Sequence, residues 1–273
     1  MRLREPKPDT LNPADSPADR NGGMNPALAA LAFAPGLALG SFLNVLAVRV
    51  PLRRSLVSPR SACMTCSAPI AWYDNVPLIS YAVLRGRCRH CGTRIGPIYP
   101  AVELAAALLV SGCVLAFGLT PRAAIAAFFC CVLVAISAVD LVHRIVPDRI
   151  VLPATVLVLA AQTLRDPSVE WLLGALGGSL VLLLAVVAYP AGMGMGDVKL
   201  ALLMGAALGK LVSVALVLGM FAAVVPGLYL LLRHGRAARK MGIPFAPFLA
   251  LGSVVALFAG DWFFDAYVAM LSS

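Results

Sequence analysis

The sequence predicts an all-α polytopic membrane protein with about eight transmembrane helices and one small loop domain. Hydrophobic residues make up 60% of the 273 residues and charged residues only 13%, whereas soluble domains carry roughly 25% charged residues. The apolar residues also form continuous runs, long enough as helices to cross about 30 Å of hydrocarbon. These runs do not alternate with polar residues as the strands of a membrane β-barrel do. The mean hydropathy of +0.89 agrees with a membrane protein.

Eight segments are predicted to span the membrane: 25–48, 98–118, 122–140, 149–164, 169–190, 197–209, 211–232 and 244–270. The predicted division of the chain places a disordered polar tail at 1–24, because this segment is rich in Pro, Asp, Asn and Arg. The first helix then occupies 25–50, the loop domain 51–97, and a transmembrane core 98–273.

The basic residues predict which loops are cytoplasmic. Eight arginines and one aspartate lie between Arg49 and Pro97, and such an excess marks cytoplasmic loops. Outside the tail, 15 basic residues fall on the side of this loop and three on the other, namely Arg122, Arg165 and Lys210. Both termini are therefore expected outside the cytoplasm. Nucleic-acid binding is not expected, because no groove-binding element accompanies the positive charge.

Four of the seven cysteines form two pairs in the basic loop: Cys63 with Cys66, and Cys88 with Cys91. Two such pairs can present four thiolates to one tetrahedral ion, the geometry that Zn²⁺ prefers. The alternative is two disulfides, which a reducing cytoplasm disfavours. A site with four protein ligands leaves no position for water or substrate. We therefore expect a structural zinc ion.

Three aspartates lie at predicted cytoplasmic ends of membrane helices, where charged groups are costly and often functional. Asp140 ends the third span, Asp148 follows it, and Asp197 begins the sixth. Two carboxylates brought together share a proton. The ionised one can then activate water while the protonated one polarises a carbonyl, as in aspartic proteases. Asp140 and Asp197 are the candidate catalytic pair, and Asp148 a supporting residue.

Other residues near the span ends are candidates for supporting roles. Gly194 and Gly196 are expected to permit unusual backbone angles and close approach of a peptide, although an ordinary flexible turn is the alternative. Asn44 needs a hydrogen-bond partner near the end of the first span. Glu103, one turn into the second span, is expected to pair with a basic residue of the substrate or loop. Lys199 either supports the site or marks the membrane boundary.

Several motifs in order resemble those of the bacterial prepilin peptidases, the GxGD-type aspartyl proteases of type IV pilus and type II secretion systems. The matching motifs are Gly40-Ser41-Phe42-Leu43-Asn44-Val45 with Arg49 and Pro51, the two cysteine pairs, Trp72-Tyr73-Asp74-Asn75-Val76-Pro77 with Ser80-Tyr81, Tyr99-Pro100 with Glu103, Asp140 through Asp148, and Gly194-Met195-Gly196-Asp197-Val198-Lys199. The resemblance covers about residues 35–260.

The resemblance implies a bacterial inner-membrane peptidase whose active site faces the cytoplasm. Its substrates would be prepilins or pseudopilins, membrane-embedded proteins whose short basic leader is removed ahead of an apolar helix. Asp140 and Asp197 would be the catalytic pair. Family members with the cysteine-containing domain usually also N-methylate the new terminus with S-adenosylmethionine, and no motif here indicates where that donor would bind. Besides substrate, the protein is expected to contact membrane lipid.

Two other functions are compatible with a bundle of helices containing acidic residues. A transporter or channel would carry such residues in its permeation path, but it would place them near mid-span and would have no use for the cysteine loop. A non-catalytic subunit of a secretion machine, assembled through the metal loop, is the second alternative.

Overall fold

The computed structural model describes residues 25–189, 193–235 and 243–272, and these are predominantly helical. We number the α-helices in chain order: α1 Pro26–Arg49, α2 Ile79–Val83, α3 Ile98–Phe117, α4 Pro121–His143, α5 Asp148–Arg165, α6 Glu170–Ala188, α7 Met195–Leu208, α8 Val212–His234 and α9 Ala246–Ser272. Two short 3₁₀ turns lie at Trp72–Asn75 and Gly209–Leu211. The predicted all-α class is confirmed.

The long helices follow the predicted spans closely. Within the described ranges all helices except the five-residue α2 are long, which gives eight. Six stretches are both long and apolar enough to cross a membrane, with α7 and α8 counted together as Met195–Arg233. Helix α5 is not among the six, and it carries Asp148, Arg149 and Arg165 at its two ends.

Some predicted features lie outside the described residues. The tail 1–24 is one of them, and parts of the predicted cytoplasmic loops 191–196 and 233–243 are others. The division of the chain into domains remains a prediction.

Helix α7 is the centre of the bundle. Ten of its 14 residues are buried, so its side chains contact protein on nearly every side. Leu200, Leu203 and Met204 are fully buried in the main core cluster, together with residues of α4, α5, α6, α8 and α9. Gln162 of α5 also donates a hydrogen bond from its amide nitrogen to the carbonyl oxygen of Ala207, at 2.9 Å. These contacts fix the position of α7 within the bundle.

Glycines allow three pairs of helices to pack backbone against backbone. A Cβ atom added at Gly40 of α1 would lie 2.5 Å from the Cα atom of Glu103 in α3. In the same way Gly205 of α7 meets the carbonyl oxygen of Gly174 in α6, and Gly252 of α9 meets that of Ala215 in α8. Small residues at such crossings are the usual way in which membrane helices approach closely.

We predict that Gly205→Ala destabilises the protein by about 1–3 kcal/mol, because the added methyl group meets the backbone of α6 and forces the two helices apart. Gly177→Ala is the matched control, since a Cβ atom at Gly177 meets nothing within 4 Å. The control should be neutral or slightly stabilising. Thermal unfolding in detergent measures both variants, and equal midpoints would contradict the close packing of α6 on α7.

Candidate active site

A cavity of about 490 Å³ lies where α4 ends and where α5 and α7 begin. The segment that leads into α9 completes its wall. Its polar and charged lining residues are Asp140, Arg144, Asp148, Asp197 and Lys199. The cavity therefore contains all three candidate aspartates, which come from three helix ends. Glu103 and Asn44, the other candidate supporting residues, do not line it.

Asp140 is buried in the last turn of α4. One of its carboxylate oxygens accepts a hydrogen bond from the backbone N–H of Ala246, at 3.1 Å. Ala246 is the first residue of α9, and the first N–H groups of a helix have no partner within the helix. Asp140 thus caps α9 from another helix, and the partial positive charge at the start of α9 acts on its carboxylate.

Asp197 is buried in the first turn of α7. Its Oδ2 atom accepts a hydrogen bond from the backbone N–H of Gly194, at 3.3 Å, while its own N–H donates to the carbonyl oxygen of Gly194, at 3.1 Å. This pair of bonds holds the side chain back over the start of the helix. The second carboxylate is therefore also positioned by backbone at a helix terminus.

The two aspartates face one cavity. Both line it, although they come from different helices, and both side chains are largely buried, 6% and 8% exposed. Burial removes much of the water that would screen one carboxylate from another charge. The cavity therefore offers two acidic groups to one bound molecule.

Asp148 and Lys199, predicted as separate supporting residues, form an ion pair. The ammonium nitrogen of Lys199 lies 2.7 Å from Oδ1 of Asp148. The pair joins the first residue of α5 to α7, two residues after Asp197. Both side chains are partly exposed, so the pair contributes at most about 1 kcal/mol to stability. Both residues of the pair line the same cavity as Asp140 and Asp197.

The glycines before Asp197 do not adopt the unusual backbone angles expected of them. Gly194 is extended, with φ −92° and ψ 155°, and Gly196 lies within α7. At Gly196 the space requires glycine. A Cβ atom there would lie 2.9 Å from the Cβ atom of Val146, so this glycine lets α7 pack on the loop between α4 and α5. At Gly194 a Cβ atom would make only ordinary van der Waals contacts, 3.8 Å from the Gly196 nitrogen and 3.9 Å from Oδ2 of Asp197. Gly194 also lines the cavity.

Glu103 and Asn44 form a separate polar cluster between α1 and α3. Oε2 of Glu103 accepts a hydrogen bond from the backbone N–H of Leu78, at 2.9 Å. The Asn44 amide donates to the carbonyl oxygen of Tyr99, at 3.0 Å. Glu103 thus has a backbone amide as its partner in the loop, and no ion pair with a basic residue of the described loop. A basic residue of a substrate as its partner stays a prediction. Leu78 has a φ of 59°, which is rare for a leucine, so Glu103 holds a strained turn of the loop domain against the membrane helices.

The four cysteines of the loop domain form one cluster, with all four sulfur atoms within 4.8 Å of one another. Each pair sits in a similar turn. In each turn the carbonyl oxygen of the first cysteine, Cys63 or Cys88, accepts a hydrogen bond from the N–H of the residue after the second cysteine. That residue, Ser67 or Gly92, has a positive φ. All four are free thiols rather than disulfides. The cluster could hold a metal ion.

Backbone amides hydrogen-bond to the sulfur atoms. The amides of Cys66 and Thr65 lower the pKa of the Cys63 thiol to about 6. Hydrogen bonds from Thr93 lower the pKa of Cys91 as well. Hydrogen bonds of this kind stabilise thiolates, the form that binds metal. The turns are therefore suited to metal binding.

The segment Trp72–Asn75 is held to the second cysteine turn by an ion pair. The Arg89 guanidinium donates to both carboxylate oxygens of Asp74, with an Nε–Oδ2 distance of 2.8 Å. This hydrogen-bonded cation holds the pKa of Asp74 below its usual value. Arg89 also lies over the ring of Tyr73, 5.6 Å from its centroid. The cysteine turns and the aromatic segment therefore form one folded unit.

Two family models match the chain. Residues 35–117 match the Bacterial Peptidase A24 N-terminal domain, and residues 127–232 match the Type IV leader peptidase family. No solved structure matches the chain significantly.

Curated relatives match over most of their length. A protein of Bacillus subtilis (strain 168) named prepilin leader peptidase/N-methyltransferase is 34% identical over 242 residues, which cover 86% of this chain and 96% of that protein. A protein of the same name from Burkholderia pseudomallei (strain 1026b) is 37% identical over 271 residues, covering 86% of each chain. Another, from Pseudomonas aeruginosa, is 35% identical over 257 residues, covering 83% of this chain and 88% of the relative.

These matches define a polytopic membrane protein of the bacterial A24 peptidases. The chain belongs to the type IV leader peptidase family.

Sequence reasoning did not find the backbone groups that complete the site. The N–H of Ala246 and the left-handed Arg144, whose N–H closes the end of α4 onto the carbonyl oxygen of Asp140, carry no side-chain signal. The Asp148–Lys199 pair was detectable only as two separate charges. Pro247, the second residue of α9, is a helix-start signal. It could have suggested that this helix end needs a cap, but not that Asp140 provides it.

We predict that Cys66→Ser lowers bound metal from about one ion per chain towards zero, because a four-sulfur site loses one ligand. Metal analysis of the purified protein by mass spectrometry measures this. The matched control is Cys131→Ala, which removes a cysteine buried in α4 and should leave the metal content unchanged. Full metal content in the Cys66 variant would exclude the four-cysteine site.

We predict that Glu103→Ala destabilises the attachment of the loop domain by about 1–3 kcal/mol, because the Leu78 N–H loses its acceptor. Glu103→Gln keeps an oxygen acceptor and should lose less. Limited proteolysis of the loop domain, with thermal unfolding in parallel, compares the two. The same cleavage rate for both variants would show that this hydrogen bond does not hold the loop.

Proposed function

We propose that the protein is a prepilin leader peptidase that also N-methylates the new N-terminal residue, with Asp140 and Asp197 as its catalytic residues. The observation that carries the proposal is the pairing of these two buried carboxylates in one cavity at a common end of α4 and α7. The family of the chain and the names of its relatives support the same activity.

Peptide hydrolysis at this pair needs one proton shared between two carboxylates. The ionised aspartate accepts a proton from water, and the water oxygen attacks the carbonyl carbon of the scissile bond. The protonated aspartate donates a hydrogen bond to the carbonyl oxygen, on which negative charge develops. The carbon–nitrogen bond then breaks, the carbonyl reforms, and the leaving amine takes the proton that the first aspartate had accepted from water, which returns the pair to its starting protonation. The two aspartates titrate as a pair, so neither role is assigned to one residue.

The backbone contacts of the aspartates support this mechanism by fixing both side chains before substrate arrives. Asp140 is held by the N–H of Ala246 and Asp197 by that of Gly194. Catalytic groups held in place need no reorganisation during the reaction. Gly194 also lines the cavity, and without a side chain it leaves room for a peptide backbone to approach.

The position of the cavity also suits a substrate with an apolar helix. Asp140 lies at the end of one membrane helix and Asp197 at the start of another, so a scissile bond just outside the membrane would reach both. We propose that this end faces the cytoplasm of the cell, at the inner membrane, because the eight arginines from Arg49 to Pro97 lie on the same side. Prepilins or pseudopilins are the proposed substrates.

We propose that the cysteine cluster binds a structural zinc ion. A tetrahedral site with zinc–sulfur bonds of about 2.3 Å has sulfur atoms about 3.8 Å apart, and the Cys63 and Cys91 sulfur atoms are 3.8 Å apart. Bound zinc would supply a cross-link between the two turns. Because four protein ligands close the site, the cysteines act by holding the loop domain in shape and not in hydrolysis.

The second proposed activity uses S-adenosylmethionine, which supplies the methyl group when bound. This activity rests on the names of the relatives, prepilin leader peptidase/N-methyltransferase. We assign no residue to the donor. The amine released by cleavage must lose a proton to accept a methyl group, and an N-terminal amine, with a pKa near 7.7–8.0, is partly neutral at cytoplasmic pH.

We predict that Asp140→Asn and Asp197→Asn each reduce prepilin cleavage by at least about 10²–10⁴-fold, because either change removes the shared proton. The assay is incubation of the purified protein with a prepilin and separation of the products by mass. Asp166→Asn is the matched control, since Asp166 is exposed at the end of α5, away from the cavity. Cleavage retained in either active-site variant would falsify the catalytic pair.

A labelled methyl donor tests the second activity. With precleaved pilin and wild-type protein, we expect label on the new N-terminal residue. Label should also appear with Asp197→Asn, because methyl transfer to a precleaved chain needs no hydrolysis. Absence of label from the wild-type reaction would leave a peptidase alone.

A further inference from the structure

We propose that a second cavity, beside the end of α1, binds the headgroup of an anionic phospholipid. This cavity has a volume of about 700 Å³ and shares no lining residue with the aspartate cavity. One wall is the face of α1 that carries Phe42, Val45 and Arg49. The other is formed by residues 56–61 and 70–75 of the loop domain. The proposed peptidase mechanism makes no use of it.

The charge of the cavity selects an anion. Its ionisable lining residues are two arginines, Arg49 and Arg60, and no carboxylate lines it. The Arg49 guanidinium donates to the carbonyl oxygens of Ser55, Leu56 and Pro59, at 2.9, 3.1 and 2.6 Å. These bonds use three of its five N–H groups and neutralise none of its charge. The Arg60 side chain has no hydrogen bond or ion pair within the described part of the chain. A guanidinium group that keeps its charge and has N–H groups without a partner binds phosphate oxygens well.

The apolar part of the cavity distinguishes a lipid from a soluble anion. Phe42, Val57 and Trp72 line it with 49%, 89% and 83% of their surface exposed. Inorganic phosphate would occupy the arginines and leave these side chains in water. A phospholipid would pair its phosphate with the arginines and cover the apolar side chains with its glycerol and upper acyl chains. Aromatic residues are also typical of the membrane interface.

The same charge argues against the methyl donor as occupant. S-adenosylmethionine carries a sulfonium, an ammonium and a carboxylate group, so its net charge is positive and two cationic groups would enter a cavity with two unneutralised arginines. An anionic lipid would instead be attracted, because the segment from Arg49 to Pro97 has eight arginines and one aspartate. Basic segments next to a membrane are attracted to anionic lipids of the cytoplasmic leaflet. This step rests on the proposed orientation of the loop domain.

Lipid binding at this position would bear on the catalytic site through α1. Leu46 near the end of α1 and Val50 just after it pack against the main core cluster, and so do Val146 and Phe245. Val146 and Phe245 line the aspartate cavity. A headgroup held between α1 and the loop domain would therefore hold that domain on a helix that shares its core cluster with the aspartate cavity.

The test compares two arginine variants in their retention of phosphatidylglycerol. Arg60→Gln removes the cavity charge that has no partner, and Arg94→Gln removes an exposed arginine of the same domain that does not line the cavity. The intact, metal-loaded protein is titrated with phosphatidylglycerol or phosphatidylcholine, and bound lipid is counted by native mass spectrometry. Unchanged metal content shows that each variant is folded.

We expect wild type and Arg94→Gln to bind one phosphatidylglycerol more tightly than phosphatidylcholine, and Arg60→Gln to bind it about fivefold more weakly. Trp72→Ala should also weaken lipid binding, and 10 mM inorganic phosphate should not displace the lipid. Equal loss in the two arginine variants would overturn the proposal, as would no preference for the anionic lipid. Full displacement by phosphate, or weaker binding of S-adenosylmethionine in Arg60→Gln, would assign the cavity to another ligand.

Discussion

Within a membrane, every backbone N–H and C=O group must find its hydrogen-bond partner inside the protein, because the hydrocarbon contains no water. Helices meet this requirement along their length and fail only at their ends, where the first N–H groups and last C=O groups lack partners. In this protein the ends are where the carboxylates lie. Asp140 at the end of α4 accepts the first N–H of α9, and Asp197 in α7 accepts the N–H just before its own helix. The hydrogen bonds that hold the two buried carboxylates are therefore the same ones that give the helix-end N–H groups their partners.

The packing of the bundle gives those contacts their precision. Helix α7 is buried on nearly all sides and is fixed by glycine contacts to α6 and by the Gln162 hydrogen bond from α5. The loop domain is held more lightly, by the Glu103–Leu78 hydrogen bond and by the polar contact of Asn44 with Tyr99. A densely packed core with a lightly attached loop domain, whose cysteine cluster could hold a metal ion, is consistent with the proposal that a second membrane protein enters as substrate.

Much of the architecture could be predicted because it depends on spacing along the chain. The apolar runs gave the long helices to within a few residues at most ends, and the spacing of Cys63, Cys66, Cys88 and Cys91 gave the cluster. Spacing also gave Asp140 and Asp197 as residues at helix ends. It could not give the rotation of one helix against another, which decides that Lys199 pairs with Asp148 and that Glu103 meets a backbone amide. The glycines at 194 and 196 were recognised for their small size, but their backbone angles are ordinary. Glycine in a sequence does not reveal whether space or conformation requires it.

The pairing of the two aspartates is most directly tested by a structure of the protein bound to a prepilin peptide whose scissile amide is replaced by a hydroxyethylene group. Such a hydroxyl takes the place of the attacking water. If Asp140 and Asp197 act as a pair, the hydroxyl oxygen will lie within about 2.6–3.2 Å of a carboxylate oxygen of each, with the leader on the side of the loop domain. A peptide bound with its hydroxyl away from either carboxylate, or two carboxylates too far apart to share it, would contradict the mechanism.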